Sequence, residues 1–146
     1  MEDMILDFLL RAKKNTYAAH GTEAESSRPN SHDLRYVEGD LLYIDTYLGG
    51  VQFAGEEAVW KDGVPVWSMN YCGRIIGQGF EGDFLKNALM RVPREQPYRG
   101  PKEYREGAML YSNHAEGNPG WYQGFEEISL GGTRIYECYY HGGSIL

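Results

Sequence analysis

An acidic side chain stands between two tyrosines in the stretch GDLLYIDTYLGG, residues 39–50. Side chains alternate along a strand, so Leu41, Tyr43, Asp45 and Tyr47 share one face and Leu42, Ile44, Thr46 and Leu48 the other. A carboxylate among aromatic rings is the make-up of a pocket that orients one polar group of a ligand. Trp67, Met69 and Tyr71 follow the same two-residue period and would extend that face. Arg28 and His32 close a long polar loop, residues 18–33, whose end could fold over it. Arg28 suits an anionic group, and His32 suits acid or base work. The candidate ligand-binding set is therefore Arg28, His32, Tyr43, Asp45, Tyr47, Trp67 and Tyr71. The plainer expectation for Asp45 is a solvated or tyrosine-bonded carboxylate on an open sheet face. For residues 20–27 the plainer expectation is disorder.

Other chemistry finds little support. The chain holds no Gly-x-Ser-x-Gly elbow, no Walker loop, no Gly-x-Gly-x-x-Gly after a strand and no His-Glu-x-x-His. His20, His32, His114 and His141 lack metal-ligand spacing, and the two cysteines, Cys72 and Cys138, form no Cys-x-x-Cys pair. Pairing Cys138 with His114 or His141 as nucleophile and base meets an obstacle, because alternation puts Cys138 and His141 on opposite faces. No catalytic residue, metal or cofactor is assigned.

The elements that must hold the candidate face repeat. Tyr36, Glu38, Gly39, Leu42 and Tyr43 match Tyr104, Glu106, Gly107, Leu110 and Tyr111 at an offset of 68 positions. Gly55, Glu57, Gly63, Val66, Trp67, Tyr71 and Gly73 match Gly124, Glu126, Gly132, Ile135, Tyr136, Tyr140 and Gly142 at an offset of 69. A helix is expected before each series. Met4, Ile5, Phe8, Leu9 and Ala12 mark one apolar stripe; Phe84, Leu85, Ala88, Leu89 and Val92 mark the other, with Asp83 as N-cap and Pro93 as stop. Strands are expected near 34–37, 40–48, 56–61 and 64–72, then near 103–105, 108–114, 125–130 and 133–141. The turns Lys61-Asp62-Gly63 and Gly131-Gly132 signal hairpins.

The expected fold is α+β: a tandem duplication of a helix plus a four-stranded antiparallel sheet. Each unit could curl as in cystatins, or both could join in one continuous sheet with the helices on one face. Residues 1–146 would form a single domain of two repeats, 1–78 and 79–146. Glu57 and Glu126, kept in both halves, suggest a structural task such as bonding a backbone amide. Asp45, Thr46, Asn70 and Cys72 differ from their counterparts Asn113, His114, Tyr139 and His141, and such departures mark specialisation.

Composition narrows the partners. A net charge of −7 without a basic stripe argues against direct binding of nucleic acid. The densest basic cluster, Arg11, Lys13 and Lys14, suits the C-terminal end of the first helix. The apolar run of MEDMILDFLL is broken by Asp7, which fits neither a signal peptide nor a membrane span, so a cytoplasmic location is expected.

With EGDLLYIDTYLGG, FAGEEAVW, PVWSMNYCGR and YECYYHGG in view, the chain resembles an uncharacterised prokaryotic domain-of-unknown-function family over nearly its whole length. In that family the domain stands alone or behind a helix-turn-helix DNA-binding domain, and only a short helix precedes the strands here. The resemblance implies a sensing or dimerising partner of a regulator and carries no catalytic residues. The expected function is a ligand-binding or sensor-like module for a small polar ligand. The alternatives are a small enzyme using Asp45 and His32 as acid and base, and an interaction module whose aromatic face joins a homodimer.

Overall fold

A computed structural model of the chain describes residues 1–16 and 21–146. His20 and the loop residues 18–19 lie outside them. The helices are α1 (Asp3–Asn15) and α2 (Gly82–Leu89). The strands are β1 (His32–Glu38), β2 (Leu41–Gly49), β3 (Gln52–Lys61), β4 (Val64–Ile75), β5 (Glu103–Glu106), β6 (Met109–Asn118), β7 (Trp121–Leu130) and β8 (Thr133–Ser144). They form one continuous antiparallel sheet in the order β1-β2-β3-β4-β8-β7-β6-β5. The fold is thus mostly sheet, with two helices. Of the two arrangements left open by the sequence, the continuous sheet is the one found. Every expected strand is present, and most run longer than their local patterns suggested.

The hairpins follow from backbone chemistry. Asp62 and Gly63 have φ of 51° and 78°, and Gly131 and Gly132 have 57° and 83°, the left-handed pairs of a two-residue hairpin loop. Just beyond these turns the ladders carry bulges, at Val59/Trp60 and Ile128/Ser129. At the centre β4 and β8 pair antiparallel, with Tyr71 directly opposite Tyr140.

Both helices cover the same face. Ile5, Phe8, Leu9 and Ala12 of α1, and Phe84, Leu85, Ala88 and Leu89 of α2, share one core with Tyr43, Val59, Trp67, Met69, Tyr111, Ile128 and Tyr136. Phe8 and Phe84 are buried as their stripes predict, whereas Met4 is exposed. Lys13 joins the buried side of α1. Asp83, expected as an N-cap, falls in the first turn of α2, with Glu81 in the cap position. There its charge still complements the helix dipole.

One expectation is reversed. The tyrosine-rich face of β2 is the core face: Leu41, Tyr43 and Asp45 are buried, while Leu42, Ile44 and Thr46 are only partly so and Leu48 is exposed. Asp45 is therefore tyrosine-bonded without lying on an open face. That face is covered by the chain's own helices.

Candidate functional site

The site begins with a glycine. Gly55 of β3 lies between Tyr47 and Tyr71 in register, and a Cβ there would fall 2.5 Å from the Tyr71 hydroxyl oxygen. With no side chain in the way, Tyr71 crosses β3 and donates to Asp45 Oδ1 at 2.6 Å. Asp45 is 4% exposed.

Its neighbours are claimed by other partners. Glu57, paired with Asp45 across β2 and β3, accepts from the Tyr43 hydroxyl and takes Lys13 Nζ on both oxygens at 3.0 Å. Arg99 follows α2 in the chain and reaches back under it. Its Nε donates to Glu126 Oε1 at 3.0 Å, and its guanidinium lies 5.2 Å from the Tyr71 ring centre. Burial and the charge of Glu57 push the Asp45 carboxyl up to about 7, against the opposing pull of Tyr71, Arg99 and Lys13. Burial also lowers Lys13, against the attraction of Glu57.

Asp45 opens into a cavity of about 330 Å³. Tyr71, Phe53 and Tyr136 form an aromatic wall, with Phe53 6.1 Å from Tyr71 and 6.3 Å from Tyr136 between ring centres. Phe80 stacks on Tyr136 at 5.4 Å, and Leu85 and Ile75 complete the apolar lining. His32 and Tyr47 stack at 4.8 Å on the side of β1 and β2, and His32 Nδ1 lies 2.9 Å from Glu23 Oε1.

Four of the seven residues proposed from sequence thus line one cavity: His32, Asp45, Tyr47 and Tyr71. Tyr43 lies beneath, bonded to Glu57. Trp67 is fully buried, stacks on Tyr122 at 6.1 Å and donates its indole N–H to the Pro119 carbonyl, away from the cavity. Arg28 is exposed and does not line it. The end of the polar loop is pinned instead of free: Ala24 bonds Asp33 through the backbone, and Ser31 Oγ donates to Asp33 Oδ1 at 2.6 Å.

Other readings are corrected by the geometry. Glu57 and Glu126 bond tyrosines and buried cations, where a backbone amide was expected. Lys13 belongs to the core, and Arg11 pairs with Glu38, so the basic cluster is not simply a helix-end charge. Burial pushes the Cys138 thiol up to about 12, and His114 and His141 are exposed. A thiolate nucleophile is thereby disfavoured. No metal-binding cluster occurs among the described residues. No helix among them is long and apolar enough to cross a membrane.

Sequence reasoning missed Lys13, Arg99, Phe53, Phe80 and Tyr136. Lys13 left a signal, standing four residues after Leu9 and eight after Ile5 on the apolar stripe. Arg99 left none, in a proline-bearing linker without periodicity.

A wider depression of about 920 Å³ lies mostly in the other half, lined by Asn113, Ala115 and Tyr140 together with His114, Phe125 and Tyr139, and bordered by Asn70, Tyr71 and Cys72 of β4. Its central amide is already satisfied. Asn113 Oδ1 accepts from Tyr140 at 2.6 Å, and Nδ2 donates to the Gly100 carbonyl at 2.9 Å.

The chain belongs to the family described as domain of unknown function DUF5680, whose model matches residues 45–145. The match runs from the middle of β2 through β8 and so includes Asp45, Tyr71, Arg99 and Tyr136 but not His32 or α1. No curated protein and no solved structure matches the chain.

Proposed function

We propose that this protein binds a small molecule in the cavity beside Asp45 and acts as a ligand-binding, sensor-like module of the cytoplasm. One observation carries the reading: a buried carboxyl with a single side-chain donor among the described residues, Tyr71, opens into a cavity walled by aromatic rings. A buried charge is expensive to leave without a partner, and a fold gains nothing from placing one at the rim of a hole. The volume lies at the low end of ligand pockets, roughly 300–1,000 Å³. We also read the two halves as copies of one helix–sheet unit, of which the first keeps the site.

Acid–base catalysis by Asp45 and His32 is the second reading, favoured by both lining one cavity and by the Asp45 carboxyl standing at about 7. Binding is the common requirement of both.

Ile75→Trp tests it. Ile75 is partly buried at the cavity edge, and an indole there fills the space. Fragments that perturb the amide resonances of Asp45 and Tyr71 in the wild type are expected to bind Ile75→Trp at least about tenfold more weakly. Resonances of β5–β7 report that the fold persists. If no fragment perturbs Asp45 or Tyr71, the cavity is a packing defect and the reading fails.

A further inference from the structure

Among the described residues, the buried charges beneath the helices do not balance. Lys13 and Arg99 supply two cations, and Asp45, Glu57 and Glu126 supply three carboxyls. The pairing shows which carboxyl is left over. Lys13 is spent on Glu57 and on the Tyr98 carbonyl. Arg99 is spent on Glu126, with the Tyr136 hydroxyl 3.5 Å from Nη2. Among the described residues Asp45 alone has no cation of its own, and Asp45 is the carboxyl that opens into the cavity.

From this arrangement we infer that the cavity takes a small organic cation, an amine on an apolar or aromatic body, whose ammonium lies against Asp45 as its missing counter-ion. The inference rests on the proposed ligand-binding reading and adds the chemical class of the ligand. Tyr71, Phe53 and Tyr136 line the same space, and aromatic rings attract cations. An anion fares worse despite Arg99 in the wall. It would lie beside an acid that is already uncompensated.

A proton and the cation then compete for Asp45. The charged and titratable groups facing it are Glu57 from β3, Tyr71 from β4, Lys13 from α1, Arg99 from the linker and His32 from β1. Of these, His32 is held at the cavity edge by Glu23 and stacked on Tyr47. Binding at neutral pH is expected to release a proton. Affinity should rise with pH, changing by up to about tenfold per unit below the Asp45 midpoint and levelling above it.

Benzylamine, benzyl alcohol and benzoate share a shape and differ in charge, and benzylamine stays charged between about pH 6 and about pH 8. Each is titrated into the full chain, following the resonances of Asp45 and Tyr71, with calorimetry in two buffers of different ionisation enthalpy to count protons. The expected result is binding by benzylamine at least about tenfold tighter than by the other two, with proton release at pH 6.5 and a marked loss in Asp45→Asn. Benzyl alcohol or benzoate binding as tightly at the same resonances would overturn the cation and leave the pocket standing. Benzylamine binding with no proton release and no dependence on pH would also overturn it. No perturbation of Asp45 or Tyr71 by any of the three, nor by the wider fragment screen, would overturn the pocket reading and this inference with it. The wild-type comparisons decide the matter even if Asp45→Asn fails to fold.

Discussion

The two halves of the sheet solve one problem with different side chains. In each, a buried glutamate accepts from a tyrosine on the neighbouring strand: Glu57 from Tyr43, and Glu126 from Tyr111. Each also has one cation, Lys13 from α1 or Arg99 from the linker. In each, a glycine clears the way for a tyrosine to cross a strand, Gly55 for Tyr71 and Gly124 for Tyr140. The difference lies in what that tyrosine meets. Tyr140 meets Asn113, an amide whose second end is used on the Gly100 carbonyl. Tyr71 meets Asp45, an acid with no second side-chain donor and no counter-ion among the described residues. An amide closes its own account; an acid leaves a charge to be answered. The residue types around them follow suit. His32 and Tyr47 stand where the second half has Gly100 and Ala115 in the overlay.

The largest effect tests the shared part of this comparison. Arg99→Met leaves Glu126 buried without its cation, and Lys13→Met does the same to Glu57. Each is expected to cost about 3–5 kcal/mol by chemical denaturation. Adding Glu126→Gln to Arg99→Met should return much of the loss, since the penalty belongs to the stranded charge. If Arg99→Met costs under about 1 kcal/mol, Arg99 is not what compensates Glu126 and the charge count fails.

Much of this frame could be read from residues alone. Alternation, the Asp62-Gly63 and Gly131-Gly132 turns and the helical stripes locate both helices and all eight strands, because each depends on local geometry. The core face could not be read, since hydropathy counts a tyrosine or a glutamate as polar whether or not its polar atom is bonded. Tyr43 is buried with Glu57, and Tyr111 with Glu126, because each pair satisfies its own polar atoms. Ladders of paired polar groups at long sequence separation carry no local signal. Arg99 is the sharpest example, joined to Glu126 across 27 positions and touching the Asp45 cavity as well.

A smaller effect separates the halves. Asp45→Asn gives the first half the amide of the second. The folded carboxyl titrates at about 7 and an unfolded aspartate near about 3.9, so the wild type loses stability as pH rises between them. Asparagine does not titrate. The variant should match the wild type near about pH 4 and exceed it by about 2–4 kcal/mol above about pH 7, as read from melting curves across pH. Asn113→Asp should show the opposite sign, for it buries a second acid beside Glu126 and strands the Gly100 carbonyl. Equal melting temperatures for Asp45→Asn and wild type at every pH would show that Asp45 finds full compensation within the protein.

The smallest effect is a difference between two identical deletions. Tyr71→Phe and Tyr140→Phe each remove one hydroxyl from the centre of the sheet, where the two residues face each other across β4 and β8. Tyr140 donates to a neutral amide oxygen, a bond worth about 0.5–1.5 kcal/mol at any pH. Tyr71 donates to a carboxyl whose charge depends on pH. Below about pH 6 that bond is also between neutral groups, and the two variants should lose about the same. Above about pH 8 the bond is charge-assisted and worth about 1.5–3 kcal/mol, so Tyr71→Phe should fall further by about 1 kcal/mol. Removing the hydroxyl also moves the Asp45 midpoint upward, since its hydrogen bond favours the ionised form. The gap between the variants should therefore open at a slightly higher pH than the wild-type midpoint. A gap that is the same at pH 5 and pH 9 would mean that Asp45 does not titrate in the folded state, and the contrast between acid and amide would lose its electrostatic basis.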